Sequence, residues 1–195
     1  GGSGVAGDVL KLILNKYSPL DIEVHKTYKI TKKHIENKPL CLFISYSGNT
    51  EETVSALEDA IKADLEWCVI SSGGTLLEMA KENSKPYIEV PSGLQPRAAF
   101  GLMTKAVANF TPESLGVDVE QNCNDSSFYL NELLDNESEN KIIKKAKEVA
   151  NNIGNKTVII YGGTQLSYLA SQRWKTQINE NAKSKSYVGY MPEVH

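Results

Sequence analysis

What this 195-residue chain has little of narrows it before any motif does. Cysteine occurs only as Cys41, Cys68 and Cys123, with no spaced pair. That excludes a disulfide framework, suits reduced thiols and predicts a cytoplasmic protein. No apolar run approaches the ~20 residues that a membrane span needs, so a membrane-embedded protein is excluded. Basic charge is not in excess: 21 Lys and Arg face 24 Asp and Glu for a net charge of -3. Such a chain offers no positive field to a polyanion, which argues against extended nucleic-acid binding. No His, Cys or carboxylate cluster has metal-ligand spacing, so no metal and no other cofactor is expected. His25 and His34 lie in a polar stretch and read as solvent-facing. An initiating Met and a charged-then-apolar leader are also missing, and the chain reads as a piece of a longer one.

What is present fits a soluble globular protein, with 41% hydrophobic and 23% charged residues. The length allows one large domain, or one domain and part of another. Residues 5–16 place Val5, Val9, Leu10, Ile13 and Leu14 on one face, an amphipathic helix opening on a glycine-rich turn. A buried strand is predicted at 41–46, a helix at 49–63 with Asn49 and Glu52 as its capping box, and a strand at 66–71. Then come a helix near 75–83, a strand at 87–90 and a helix from Pro96 to about Asn109. Alternation of this kind predicts an α/β fold, doubly wound with parallel sheets.

From Thr111 to about Asn140 the pattern loosens, with one helix around 127–135. A helix at 141–153, a strand at 156–161, a helix towards Ala182 and a strand at 186–191 restart the alternation. Gly162, Gly163 and Thr164 echo Gly1, Gly2 and Ser3 as an internal repeat of one βα unit. We divide the chain into a first domain at 1–125, linking helices at 126–153 and the start of a second domain at 154–195. The second is incomplete, since closing its core needs on the order of 100 more residues.

Two glycine-bearing segments carry candidate chemistry. GSGVAG at 2–7 is a literal G-x-G-x-x-G with Asp21 or Glu23 downstream, which suits a dinucleotide site, a phosphate cradle, a plain turn or a tag linker. SYSGNTEET at 45–53 lies where a buried strand gives way to a helix, the usual ligand crevice of an open α/β sheet. Ser45, Ser47 and Thr50 supply hydroxyls, and Gly48 allows close backbone approach. A phosphate monoester accepts from such hydroxyls and from free N–H groups of the first helical turn. The other reading is a capped turn whose hydroxyls satisfy backbone groups. Arg97 and Arg173 are the only arginines in a lysine-rich chain, a setting in which the planar guanidinium fork is wanted for its own geometry.

Taken together, GGSG, SYSGNTEET, SSGG, PSGLQPRAAFG, INENAK and MPEVH resemble the sugar isomerase (SIS) domain, and more closely the bifunctional phosphoglucose/phosphomannose isomerase family. The resemblance runs over nearly the whole chain and is weakest in the linking region. It implies two SIS domains, a homodimer, a sugar-phosphate substrate, and interconversion of glucose or mannose 6-phosphate with fructose 6-phosphate. By the same resemblance Gly2 and Ser3 approach the sugar, and Ser45, Ser47 and Thr50 hold its phosphate. Arg97 offsets charge on a cis-enediolate, and Glu180 is the base moving a proton between carbon 1 and carbon 2. The family's ring-opening His stands in P-E-x-x-H-N-E. Pro192, Glu193, Val194 and His195 fall one position short of that spacing, so His195 is not assigned the role. A lysine of the family's final helix has no counterpart here. Two other functions stay open: a non-catalytic phosphosugar sensor, which has no use for Glu180, and a dinucleotide-dependent oxidoreductase built on GSGVAG.

Overall fold

The computed structural model describes residues 2–111, 113–135 and 140–193. The chain divides into two compact units, Gly1–Thr111 and Pro112–His195, so the division falls where the sequence pattern begins to loosen.

The first unit is a parallel sheet wrapped on both faces. Its strands are β1 (Cys41–Ile44), β2 (Trp67–Ser71) and β3 (Tyr87–Glu89), in the order β1-β2-β3. Cys41 pairs with Trp67 and Val69 with Tyr87. The helices are α1 (Gly2–Tyr17), α2 (Lys32–Asn37), α3 (Glu51–Lys62), α4 (Gly74–Glu82) and α5 (Phe100–Ala108). α3 and α4 are the crossovers between successive parallel strands and pack on one face. Phe43, Trp67 and Val69 alternate onto that face and meet Leu57, Ala60, Leu76 and Ala80 in one buried cluster. α1 and α5 pack on each other and against the sheet on its opposite face.

Three expectations are corrected here. The helix placed at 5–16 begins at Gly2 and runs through GSGVAG. Those glycines are therefore helical, and they serve packing: a Cβ on Gly4 would lie 2.9 Å from Lys26, and one on Gly7 would lie 3.3 Å from Val24. Asn49 does not form a capping box with Glu52. Thr50 stands at the N-cap of α3 without a side-chain bond to the helix backbone, and the Asn49 amide oxygen is taken by Thr75, whose N–H donates at 2.9 Å and whose hydroxyl donates at 3.1 Å. The helix drawn from Pro96 starts at Phe100, since tight turns with Ala98 N donating to Gln95 O and Ala99 N to Pro96 O precede it.

The second unit contains α6 (Val119–Leu134), α7 (Lys141–Ile153), β4 (Val158–Gly162), α8 (Gln165–Asn181) and β5 (Ser186–Tyr190). α6 is longer than the helix expected at 127–135, because Asp118 caps it by accepting from Gln121 N at 2.8 Å and the polar QNCNDSS run coils into it. β4 and β5 are parallel and α8 packs on both, a single βαβ step. A Thr164–Ser167 capping box opens α8. Gly162 is obligatory before it, since a Cβ there would stand 2.5 Å from Tyr168 Cα. Among the described residues no helix is long and apolar enough to cross a membrane.

The two loops at the carboxyl ends of β1 and β2 interlock through glycine. Gly48 has φ +71, and a Cβ on it would lie 1.8 Å from the Gly73 carbonyl oxygen. Gly74 has φ +68, and a Cβ there would lie 2.5 Å from the Ser47 oxygen. Left-handed backbone alone costs a non-glycine residue roughly 1–2 kcal/mol, and here the clash is with backbone that cannot swing aside. Gly48→Ala should therefore lower the unfolding free energy by about 2–4 kcal/mol in denaturant titration. A loss within the error of the fit would contradict the interlock.

Candidate functional site

The turn after β1 gathers the hydroxyls singled out in the sequence, but it does not treat them alike. Ser45 is buried, its Oγ lying 2.7 Å from Thr50 Oγ1 and accepting from Gly48 N at 3.2 Å. Ser47 and Thr50 face solvent, and Ser47 Oγ accepts from Asn49 N at 3.3 Å. Ser45 thus shapes the turn from within while Ser47 and Thr50 form its outer wall. α3 has no side-chain cap at its start, and a helix start favours an anion. Glu51 and Glu52 also stand in the first turn of α3. The negative charge of Glu52 raises the Tyr28 pKa above the ordinary value, with desolvation and Glu51 adding to it.

Ser3 joins this turn from the first turn of α1. Its Oγ accepts from Tyr46 N at 3.1 Å, a bond spanning 43 residues of chain. Gly2 is the first residue of the same helix. Sequence reasoning overlooked Tyr46, which is buried and makes two further bonds: its hydroxyl donates to Pro91 O at 3.0 Å and accepts from Leu94 N at 3.0 Å. These bonds hold the loop that runs on to Arg97. Its carbonyl in turn accepts from Ser72 N at 2.9 Å and from Ser72 Oγ at 2.6 Å, tying in the SSGG turn. Arg97 is half-buried, with Nη1 donating to Gln95 Oε1 at 3.5 Å. Ser3, Ser45, Ser47, Thr50 and the loop leading to Arg97 are thereby linked through Tyr46 and its flanking turn. A buried tyrosine carries no sequence signal for such a role, and its position between two of the serines was the only available hint.

Glu180 lies in the second unit, half-buried in the last turn of α8. Arg173 is two helical turns earlier on the same face. Desolvation lowers its pKa from the ordinary arginine value, while the negative charge of Glu180 pulls it the other way. Asn179, also in INENAK, accepts from Ser186 N at 3.0 Å, with the Ser186 hydroxyl 2.7 Å from the same oxygen. That amide locks the end of α8 to the start of β5 and so fixes the backbone carrying Glu180. His195 lies outside the described residues.

The cysteines are free thiols. Burial pushes Cys68 up to about 11, with Cys41 beside it adding to the shift. No cluster with metal-ligand spacing is visible in the sequence, but the fold brings three such side chains together. Glu23, His25 and His34 place one ligand atom each within 4.8 Å of one another. The side chain of His34 is only 19% exposed, so it is not the solvent-facing residue that the sequence suggested. The folding of residues 23–34 onto themselves creates this group, which linear spacing could not reveal.

Residues 142–195 match the family described as bacterial phospho-glucose isomerase C-terminal SIS domain. The chain is 38% identical over 196 residues to a bifunctional phosphoglucose/phosphomannose isomerase from Aquifex aeolicus, covering all of this chain and 58% of that protein. It is 35% identical over 195 residues to one from Thermoplasma acidophilum, covering 57% of it. A D-glucosamine-6-phosphate 4-epimerase from Sulfolobus acidocaldarius is 30% identical over 198 residues, with 59% of it covered. The chain thus spans somewhat over half the length of the curated relatives it matches. The fold is similar to that of a hypothetical protein from Thermus thermophilus, with TM-score 0.71 at 16% identity, over 98% of this chain and 52% of that one. It is also similar to tagatose-6-phosphate ketose/aldose isomerase from Escherichia coli, with TM-score 0.60 at 15% identity, over 97% of this chain and 54% of that one. With SYSGNTEET, QPRAAFG and INENAK standing in this fold, the chain is similar along its whole length to bifunctional phosphoglucose/phosphomannose isomerases.

Proposed function

We propose that the whole protein is an aldose-ketose isomerase interconverting glucose 6-phosphate and mannose 6-phosphate with fructose 6-phosphate. The observation that carries this reading is the bonded assembly of Ser3, Ser45 and Thr50 around one glycine turn, with Ser47 on its exposed side. Ser47, Thr50 and the first-turn N–H groups of α3 hold the phosphate, while Ser45 keeps the turn in shape. Gly2 and Ser3 border the sugar.

The phosphate anchors one end of the open-chain sugar, and the reacting carbons lie at the other. Glu180 takes the proton from carbon 2 of the aldose, leaving an enediolate whose charge Arg97 offsets. Glu180 returns a proton to carbon 1, either the one it took or one exchanged with solvent, and the hydroxyl proton moves from oxygen 2 to oxygen 1, which completes the ketose. The proton alpha to a carbonyl is weakly acidic, and a positioned carboxylate is suited to shuttling it. Rotation of the intermediate before reprotonation presents its other face, so one site serves both epimers. The protein works as a homodimer in the cytoplasm, in glycolysis and gluconeogenesis, with no nucleic-acid or membrane partner.

The dinucleotide reading is separated by binding: it requires NAD to bind and Ser47 to be dispensable. The sensor reading is separated by turnover. The complete protein should isomerise both aldose phosphates in a coupled assay, and should not epimerise D-glucosamine 6-phosphate at carbon 4. Phosphosugar binding without turnover would favour the sensor.

Glu180→Gln in the complete protein should keep phosphosugar affinity while cutting turnover by roughly 10²–10⁴-fold, the range for a general base. Exchange of the carbon-2 hydrogen with deuterated solvent should fall in step. Wild-type exchange and turnover in this variant would remove Glu180 from the mechanism. Because the route needs only proton transfer and a fixed cation, turnover should also survive dialysis against EDTA. Loss of activity restored by one divalent ion would overturn that assignment.

A further inference from the structure

The group formed by Glu23, His25 and His34 belongs to no part of the proposed chemistry. Glu23 and His25 are two residues apart on an irregular segment, and His34 arrives from α2. His34 Nε2 stands 2.7 Å from Glu23 Oε2, and His25 Nε2 stands 3.1 Å from the same oxygen. The two imidazoles meet edge to face, with ring centroids 4.4 Å apart.

We propose that Glu23, His25 and His34 form a binding site for a divalent transition-metal ion, with Zn²⁺ the best match to two imidazoles and one carboxylate. Zinc ligands at about 2.0–2.1 Å in a tetrahedron are separated by roughly 3.4 Å from one another. The three ligand atoms, all within 4.8 Å of one another, reach that spacing by small side-chain rotations. A water completes the tetrahedron. Imidazole donors select zinc and its neighbours over magnesium and calcium, which prefer all-oxygen shells.

A second observation supports a prepared ligand. Thr31 stands at the N-cap of α2 but makes no side-chain bond to the helix backbone. Its hydroxyl lies 2.6 Å from His34 Nδ1 instead. A capping threonine ordinarily bonds the helix backbone, and here its hydroxyl is turned to an imidazole instead. A metal-bound histidine uses its other nitrogen in this way, with Nδ1–H donating outward and the Nε2 lone pair left for the ion. Without metal, the imidazoles donate from Nε2 to Glu23; on binding, those protons move to Nδ1 or leave to solvent. Lys33, with Nζ 4.0 Å from Glu23 Oε1, is the cation that must turn aside, and its side chain is 75% exposed.

The ion would staple the segment that lies against α1. Lys26 donates to Asp8 at 2.6 Å and Val24 sits against Gly7, so the bridged stretch is already docked there. The test uses the full chain, freed of metal by chelator and titrated with Zn²⁺ by calorimetry and with Co²⁺ by visible absorbance. One ion per chain is expected, with a tetrahedral Co²⁺ band and no thiolate charge-transfer band, and the thermal midpoint should rise by several degrees at saturating Zn²⁺. His25→Ala, at a side chain 47% exposed, should keep the metal-free midpoint. His25→Ala and His34→Ala should each weaken binding at least ~10-fold, and Glu23→Gln should weaken it in the same direction. Absence of stoichiometric binding, a thiolate band, or unchanged affinity in both histidine variants would overturn the proposal.

Discussion

Gly48 and the Gly73–Gly74 pair meet backbone to backbone at the carboxyl ends of two neighbouring parallel strands, and the rest of the first unit is arranged around that contact. With side chains excluded, the turn after β1 can bend back over the turn after β2, and Leu76 N donates to Gly48 O at 3.0 Å across the join. Asn49 then reaches Thr75, Tyr46 reaches Ser72, and the N-terminus of α3 is left without a side-chain cap. An uncapped helix start beside two exposed hydroxyls suits an anion. The packing of the sheet and the chemistry of its mouth thus rest on the same pair of turns.

Tyr46 extends that constraint to the other residues of the site. Its amide is held by Ser3 of α1, its carbonyl by Ser72, and its hydroxyl by the loop that precedes Arg97. One buried residue therefore links a helix on one side of the sheet to two loops at its edge. In the second unit Asn179 has a comparable place, fixing α8 to β5 one residue before Glu180. In both units a polar side chain holds the backbone, and its neighbour in sequence carries the proposed chemistry.

The strands, the α3 and α4 crossovers and the α/β class were legible because apolar runs at 41–46 and 66–71 are short, continuous and bounded by turn residues. α6 was underestimated because its first half, VEQNCNDS, is polar, and periodicity has nothing to register until Phe128. GSGVAG stayed open because glycine is ambiguous in sequence: the same residues suit a cradle for phosphate or the close approach of a neighbouring chain segment, and only the fold brings Val24 against Gly7. Ser45, Ser47 and Thr50 were visible as a group, but their separation into one buried and two exposed hydroxyls depends on the direction of each residue from the strand. The Glu23, His25 and His34 group depends on a fold-back that no linear spacing records.

Whether the turn after β1 holds a sugar phosphate is decided by calorimetric titration of the protein with fructose 6-phosphate. The account predicts saturable binding of fructose 6-phosphate, no measurable binding of fructose or NAD, and a loss of about 1–3 kcal/mol with Ser47→Ala if one charge-assisted bond is removed. Equal affinity for fructose and its phosphate, or full affinity in the Ser47→Ala protein, would contradict it.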